Sequence, residues 1–282
     1  MTSEHAFQED AAAIARRFVE ARRAGRALNA YPGPAPRDMA SAYGVQDAAI
    51  SLWPDVIAGW KIGLAPEGFR AAFQTERIAG PIFASAVQID TTGGPFVFPV
   101  FVDGFAAVEA ELVFRIGSDA PADRIEWRHD DHEGIAALIE SVHIGVECAG
   151  SPFAGINDYG PAVTASDFGN NAGLLIGAEI HDWRTRDLRD ITMLTKIDNV
   201  VVGEGSGARI PGGPFAALAF ILGHTARRGR PLRAGQWISS GALTGVHVVE
   251  AGQYAEADFG EFGAIACRAV AFSPDLAPTL RA

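Results

Sequence analysis

The sequence has no excess of basic residues and no long hydrophobic run, and each absence excludes a class of protein. Its 282 residues include 23 Lys and Arg against 34 Asp and Glu, so the formal net charge is −11. Nucleic-acid-binding proteins and proteins of anionic membrane surfaces instead carry clustered basic residues. The longest apolar run covers the eight residues of 215–222, far fewer than the roughly 20 that cross a bilayer. We therefore expect no nucleic-acid partner and no membrane partner.

Cysteine is also scarce. Cys148 and Cys267 are the only two, which gives no disulfide framework and no Cys-x-x-Cys metal pair. The first residues lack the basic and then apolar order of a secretory signal. Because at most one disulfide is possible, a reducing compartment suits the chain. We expect a soluble cytoplasmic protein, and an enzyme is the usual protein of that description.

The composition that is present, 48% hydrophobic and 20% charged, is typical of a folded globular protein. Apolar residues at helical spacing predict an amphipathic helix over 8–24. Further helices are predicted over 38–52, 67–74, 130–143 and 214–228. Short apolar runs between Gly and Pro predict strands over 60–64, 81–83, 96–102, 108–116, 174–176 and 193–202. The sequence therefore predicts an α+β fold, with an N-terminal helical portion over 1–77 and a β-rich catalytic domain over 78–282, joined in one continuous fold.

The segment 105–114 contains two carboxylates where a plain strand would not place them. As a strand it puts Glu109 and Glu111 on one face, with their Cα atoms about 6.6 Å apart. Because neighbouring carboxylates repel, this face either lies open to water or holds a cation. Glu147 lies in the apolar segment 143–150, has no Lys or Arg near it in sequence, and is the candidate third ligand. Three carboxylates suit Mg²⁺, with water completing the coordination.

Several short motifs occur in a fixed order along the chain. They are Gly59-Trp-Lys61-Ile-Gly-Leu64, Glu109-x-Glu111, Glu147, Asp167-Phe-Gly-Asn-Asn-Ala-Gly173, Gly203-Glu-Gly-Ser-Gly-Ala and Ile238-Ser-Ser-Gly-Ala-Leu-Thr-Gly245. With this set the chain resembles the 2-keto-4-pentenoate hydratase group within the fumarylacetoacetate hydrolase superfamily, from about residue 42 to the 260s. The resemblance implies a β-rich mixed roll or distorted sandwich behind N-terminal helices, and assembly into a homo-oligomer. It also implies that Glu109, Glu111 and Glu147 bind Mg²⁺ or Mn²⁺.

The implied substrate is a small 2-keto acid such as a 2-keto-4-enoate. A bound divalent cation acts on such an acid as a Lewis acid and stabilises the enolate that forms when a C3 proton leaves. Hydration, dehydration, C–C hydrolysis and decarboxylation all pass through an enolate or enol, so the fold does not choose among them. We expect a hydratase or dehydratase. The alternatives are a C–C hydrolase, a decarboxylase or a tautomerase of a related keto acid, or a catalytically inert metal-binding relative.

Five more side chains are candidate active-site residues. Lys61 has two interpretations. Either its ammonium group reaches solvent, or it transfers protons with a pKa that is lowered by burial and by a nearby cation. The position of Lys61 in the family pattern favours proton transfer. Asp167 and Asn170 lie in a Gly/Asn loop that residue types alone identify as a turn, and that borders the substrate in the family. Ser240 and Thr244 follow a β-like stretch. They are candidates for binding a substrate carboxylate, although hydroxyls in such turns are more often structural.

Two positions depart from the family pattern. Relatives often carry an acidic residue two before the glycine of segment 80–83, proposed for proton handling with the lysine, and this chain has Ile78 there. Their Asp-Asn-Ala-Ser segment reads Asp167-Phe168-Gly169-Asn170 here, with Asn170 at the expected Ser. The metal site is complete while its acid/base surroundings differ, which favours a changed substrate or reaction.

Three other motifs have structural interpretations. His129-Asp-Asp-His132 precedes an apolar helix pattern that Asp130 or Asp131 would cap. The Gly-rich segment 203–207 lacks the strand–loop–helix spacing of a dinucleotide site. Cys148 adjoins Glu147 but points to the other side of a strand, as a small buried hydrophobe.

Overall fold

Six α-helices and thirteen strands form the part of the chain that the structure, a computed structural model, describes, which is residues 3–90 and 94–273. The helices are α1 (Ser3–Ala24), α2 (Met39–Leu52), α3 (Glu67–Phe73), α4 (His132–Ala136), α5 (Pro161–Ser166) and α6 (Pro214–Arg227). The strands are β1 (Ile57–Leu64), β2 (Arg77–Phe83), β3 (Val87–Ile89), β4 (Phe96–Val100), β5 (Phe105–Ile116), β6 (Ile139–Ser151), β7 (Asn171–Glu179), β8 (Thr192–Ile197), β9 (Val200–Ser206), β10 (Trp237–Ser239), β11 (His247–Val248), β12 (Tyr254–Asp258) and β13 (Ala264–Ala271). None of the helices described here combines the length and apolar character that crossing a bilayer requires.

The strands form two mixed sheets. The larger has the order β2-β1-β10-β5-β6-β7-β3, with β11 also paired to β5. The smaller has the order β4-β13-β12-β8-β9. In the larger sheet β5 and β6 pair antiparallel along most of their length, and β1 joins β10 in parallel. The centre of this sheet is therefore built from segments that lie far apart in sequence.

The N-terminal helices and the sheets share one hydrophobic core. Phe18 of α1, Val45 of α2, Trp60 of β1 and Phe114 of β5 belong to a single buried cluster. The apolar stripe predicted for the first helix is buried, and residues 1–77 also supply β1 inside the larger sheet. The expected α+β fold, β-rich with helices at its N-terminus, is confirmed.

Most predicted elements are confirmed with small shifts at their ends. Asp38 caps α2, and its carboxylate accepts a hydrogen bond from the Ser41 amide at 2.7 Å. The turn between β8 and β9 lies at Asp198 and Asn199, whose φ angles are +48° and +67°. These are the left-handed values that a tight two-residue hairpin requires.

The helix predicted over 130–143 is wrong. The structure has only the short α4 there, capped by Asp131, followed by the 13-residue strand β6. The apolar residues at Ile135, Ile139 and Val142 fit helical spacing, and short apolar runs do not separate helix from buried strand. The pairing of β6 with β5 on one side and β7 on the other decides for the strand.

Candidate metal centre and active site

Three glutamates converge at the centre of the larger sheet. Glu109 lies directly opposite Glu147 in the β5–β6 pairing, and Glu111 follows two residues along β5 on the same face. Carboxylate oxygens from the three residues lie within 4.8 Å of one another. Their side chains are buried, with 4%, 0% and 0% exposure for Glu109, Glu111 and Glu147. The open, solvated face weighed for this strand is therefore wrong.

Neighbouring groups bind only some of the carboxylate oxygens. Glu111 Oε2 accepts hydrogen bonds from Ser239 Oγ at 2.5 Å and from the Gly241 amide at 2.7 Å. Glu147 Oε1 accepts one from Asn171 Nδ2 at 3.0 Å. Within the described residues, Glu111 Oε1 is buried and has no partner, and Glu147 Oε2 is buried and faces only the Lys61 ammonium, at 3.3 Å. Buried carboxylate oxygens without donors are costly, and a divalent cation is the group that would satisfy them.

Burial and mutual repulsion change the acidity of this cluster. Burial, with repulsion from Glu147, raises the pKa of Glu109 to about 7. Burial, then Glu147 and Glu109, raises the pKa of Glu111 well above its usual range. Both glutamates therefore favour a proton unless a positive charge replaces it. Together with the unpartnered Glu111 Oε1, this makes the three glutamates fit a divalent cation bound by oxygen ligands.

Lys61 reaches the same cluster from β1. Its Nζ lies 3.3 Å from Glu147 Oε2 and donates a hydrogen bond to Asn170 Oδ1 at 3.1 Å. Burial alone would lower the pKa of Lys61, but the attraction of Glu147, Glu109 and Glu111 outweighs it and the pKa is raised. In the metal-free protein the lysine faces three carboxylates, and the lowering expected beside a bound cation stays a prediction. Lys61 is also buried, so its ammonium does not reach solvent.

Ile78 lies beside this lysine. It pairs with Gly63 across β1 and β2, and Gly63 shares the face of Lys61. A Cβ added at Gly63 would lie 3.3 Å from Ile78 Cγ1 and 3.5 Å from Lys61 Nζ. The two side chains therefore border the same small space, and the residue next to the lysine is apolar.

The loop after α5 places its two predicted residues differently. Asn170 accepts the hydrogen bond of Lys61 and donates one to Asn157 Oδ1 at 3.2 Å. Asp167 instead forms a buried ion pair with Arg22 of α1 at 2.6 Å. Asn170 is thus next to the cluster, while the carboxylate of Asp167 is held by the N-terminal helix.

The two predicted hydroxyl residues also differ. Ser240 is buried, and its Oγ has no hydrogen-bond partner among the described residues. Its amide donates to Leu112 O at 3.2 Å, which fixes it beside β5. Thr244 Oγ1 lies 2.8 Å from Thr195 Oγ1 and 3.2 Å from His247 Nε2. Ser240 therefore has a free hydroxyl, and the hydroxyl of Thr244 is already bound.

Sequence reasoning missed three groups that bind the cluster, which are the side chains of Ser239 and Asn171 and the amide of Gly241. Each directly adjoins a residue that was predicted. Alternation along the chain was the signal available, because residues next to each other in an extended segment point to opposite sides. The motif at 129–132 is not part of the cluster, and the His132 ring stacks on Phe215 with centroids 4.9 Å apart.

Comparison with known proteins shows which sequences and folds the chain is similar to. No family model matches the chain. A 2-keto-4-pentenoate hydratase from Burkholderia vietnamiensis is 27% identical over 252 residues, which are 86% of this chain and 92% of the relative.

Two solved structures show the same fold. The 4-oxalocrotonate decarboxylase from Pseudomonas putida G7, complexed with magnesium and adipate, has a TM-score of 0.74 at 21% identity and covers 93% of this chain and 98% of its own. The fumarylpyruvate hydrolase from Pseudomonas aeruginosa, in complex with Mn²⁺ and pyruvate, has a TM-score of 0.55 at 15% identity and covers 76% of this chain and 89% of its own. The chain is therefore similar in sequence to 2-keto-4-pentenoate hydratases and has the fold of these two solved structures, and both findings agree with the resemblance that the ordered motifs carry.

Proposed function

We propose that the protein is a Mg²⁺-dependent lyase, a hydratase or dehydratase, that acts on a small 2-keto acid such as a 2-keto-4-enoate. The observation that carries the proposal is the buried cluster of three glutamates. Among the described residues, Glu111 Oε1 has no hydrogen-bond donor there, and Glu147 Oε2 faces only Lys61 Nζ, at 3.3 Å. The hydratase relative and the metal-containing solved structures support it. Mn²⁺ is the alternative ion, because it also prefers oxygen ligands.

The residues of the cluster divide the chemistry between them. Glu109, Glu111 and Glu147 would hold the cation, which supplies Lewis-acid stabilisation of negative charge on a keto oxygen. Ser239 and the Gly241 amide fix the direction of the Glu111 carboxylate, and Asn171 fixes that of Glu147. Metal-binding carboxylates held by such contacts do not need to reorganise during the reaction.

Lys61 is the group proposed to move a proton. Its Nζ is buried and fixed by Asn170, so it offers one proton at one place. A cation that neutralises the three carboxylates would remove the attraction that raises the pKa of Lys61. The pKa would then move closer to neutral pH. The other predicted residues are proposed to bind the substrate or to support the groups that bind it; they are Ser240, Asn170, Asp167 and Thr244. Among them, Ser240 Oγ is the hydroxyl that is free to donate a hydrogen bond.

A panel of substrates tests the reaction. Purified protein with Mg²⁺ is incubated with 2-keto-4-enoates, 3-deoxy-2-keto acids and acylpyruvates, and ultraviolet absorbance and products are followed. Loss of the dienol or enone band without loss of carbon supports hydration. Turnover of none of these acids by protein that binds Mg²⁺ would contradict the lyase proposal and favour an inert metal-binding relative.

Substitution of one glutamate tests the metal site separately. We expect Glu147→Gln to weaken Mg²⁺ binding by more than about 100-fold, beyond the 10- to 100-fold loss typical of residues that only support a ligand. Glu140→Gln on the same strand is the matched control, because Glu140 forms an exposed ion pair with Arg115. Equal Mg²⁺ affinity of the two variants in calorimetry would exclude the three-glutamate site.

Decarboxylation or C–C hydrolysis is the second candidate, and Ile78 is the observation that favours it. The apolar Ile78 side chain borders Lys61 where relatives often carry an acidic residue, so that residue's part in proton handling is missing. Decarboxylation needs a proton delivered to the enolate, whereas hydration also needs activation of water. Release of CO₂ or pyruvate in the substrate panel would support this candidate over the hydratase. The homo-oligomer and the cytoplasmic location expected from the sequence stay predictions.

A further inference from the structure

The loop that carries Asn170 and Asn171 has an uncommon backbone. Phe168, Gly169 and Asn170 have consecutive φ angles of +53°, +62° and +58°. Residues other than glycine seldom occupy this left-handed region, and a phenylalanine there is rare. The loop nevertheless places the Asn170 amide on Lys61 and the Asn171 amide on Glu147. Contacts elsewhere must therefore hold the loop in this conformation.

Arg22 of α1 makes those contacts. Its Nε and Nη2 donate to the two carboxylate oxygens of Asp167 at 2.6 and 2.9 Å. Its Nη1 donates to Asn171 O and its Nη2 to Gly150 O, each at 2.9 Å. The guanidinium thus binds the residue before the left-handed turn, the residue after it, and the end of the strand that carries Glu147.

The Arg22–Asp167 ion pair is buried and has further contacts. Arg22 and Asp167 are 6% and 1% exposed. Ser151 Oγ donates to Asp167 Oδ2 at 2.6 Å, and the Arg22 guanidinium carbon lies 5.1 Å from the centre of the Phe168 ring. A buried arginine and carboxylate that satisfy each other through several hydrogen bonds define one geometry.

We propose that Arg22 is a positioning residue of the active site, which orients Glu147 and Lys61 by holding the 167–171 loop, so that helix α1 is part of the catalytic machinery. The proposal rests on the proposed function, because it gives α1 a role at the same metal site. Within the described part of the chain, Arg22 forms hydrogen bonds to Asp167, Asn171 and Gly150 and none to the three glutamates, so its effect passes through Asn170 and Asn171.

Mg²⁺ affinity without substrate is the readout that tests this role. Arg22→Lys keeps the positive charge but loses the planar fork that reaches Asp167, Asn171 and Gly150 together. We expect it to weaken Mg²⁺ binding about 10- to 100-fold in calorimetry, the range seen when residues behind a metal ligand are changed. Arg23→Met, at the exposed neighbour on the same helix, should leave the affinity unchanged.

A double-mutant cycle separates positioning from general stability. If Arg22 acts partly through Asn171, the effect of Arg22→Lys on Mg²⁺ affinity should be clearly smaller in an Asn171→Ala background. A lowered melting temperature with unchanged Mg²⁺ affinity would overturn the proposal, and so would fully additive effects of the two substitutions. If the Arg22→Lys variant does not fold, Asp167→Asn can be used in its place, because it breaks the same ion pair. Failure of the unmodified protein to bind Mg²⁺ would instead contradict the proposed function.

Discussion

Lys61 lies between two groups that hold it differently. The Glu147 carboxylate attracts its charge at 3.3 Å, and the Asn170 amide oxygen accepts its hydrogen bond at 3.1 Å. Ile78 borders it with an apolar side chain. The ammonium group thus lies against the Glu147 carboxylate, which would also attract a metal cation.

We expect Lys61→Met to lower turnover by about 10²- to 10⁴-fold, the usual contribution of a positioned acid or base. Mg²⁺ affinity should rise in the same variant, because removal of the ammonium leaves Glu147 without a competing positive charge. Calorimetry and steady-state rates measure the two effects. Lys196→Met is the control, since Lys196 is the chain's other lysine and forms an ion pair with Glu256 in the smaller sheet. Weaker Mg²⁺ binding by Lys61→Met would contradict this account.

Glu109 gives the site a pH dependence with a definite sign. The folded, metal-free protein keeps this proton up to about pH 7, whereas an ordinary glutamate loses it near 4.5. The folded state therefore binds more protons in this window, and the stability of the metal-free protein should fall as pH rises through it. Mg²⁺ requires the ionised carboxylates, so its affinity should rise over the same range and binding should release protons.

Calorimetry in buffers of different ionisation enthalpy, at about pH 6 and about pH 8, measures this release. The account predicts tighter binding and fewer protons released at the higher pH. Equal affinity at both pH values, with no proton release, would show that the glutamates are already ionised in the metal-free protein.

At the scale of elements, β5 and β6 build the site, and the sequence predicted them unequally. The alternation of Glu109 and Glu111 with apolar residues marked β5 correctly, because alternation is a local property of a strand. β6 was predicted as a helix in its first half, because its strand character depends on partners in β5 and β7 that local spacing does not reveal. The position of Glu147 opposite Glu109 is likewise a result of pairing.

Close contact between β2 and the 167–171 loop gives an element-scale prediction. A Cβ at Gly80 would lie 1.9 Å from Phe168 O, so Gly80→Ala should push this loop away from Lys61. We expect a destabilisation of about 1–3 kcal/mol, typical of overpacking, together with weaker Mg²⁺ binding. Chemical denaturation and calorimetry measure these effects. Gly68→Ala is the control, because a Cβ at residue 68 meets nothing within 4 Å among the described residues. Equal unfolding free energies of the two variants would contradict the close contact at Gly80.

At the scale of the whole molecule, the sequence predicted the fold, the similarity to the hydratases and the convergence of the three glutamates, because the motifs that carry them keep their order from residue 59 to 245. It did not predict the link between α1 and the site, since Arg22 and Asp167 are 145 residues apart and Arg22 lies in the last turn of an otherwise ordinary amphipathic helix. Burial of both partners becomes visible only after the helices and sheets have packed. Long-range ion pairs of this kind leave no periodic pattern in a sequence.

The carboxylates behind the net charge of −11 form two groups in the folded molecule. Most carboxylates keep the surface charged, as in any acidic protein that stays dissolved. Glu109, Glu111 and Glu147 are buried together instead. One bound Mg²⁺ would change the formal charge from −11 to −11 + 2 = −9.

The most direct test of the central claim is exchange of the C3 protons of 2-oxobutanoate with solvent D₂O, followed by NMR. Every reaction considered for this site begins with or passes through loss or gain of that proton, so exchange reports the shared step whatever the natural substrate. The account predicts exchange by the unmodified protein with Mg²⁺, and none in EDTA or with Glu147→Gln. Equal exchange with and without Mg²⁺, or none by protein that binds Mg²⁺, would contradict a metal-dependent enolate at the three glutamates.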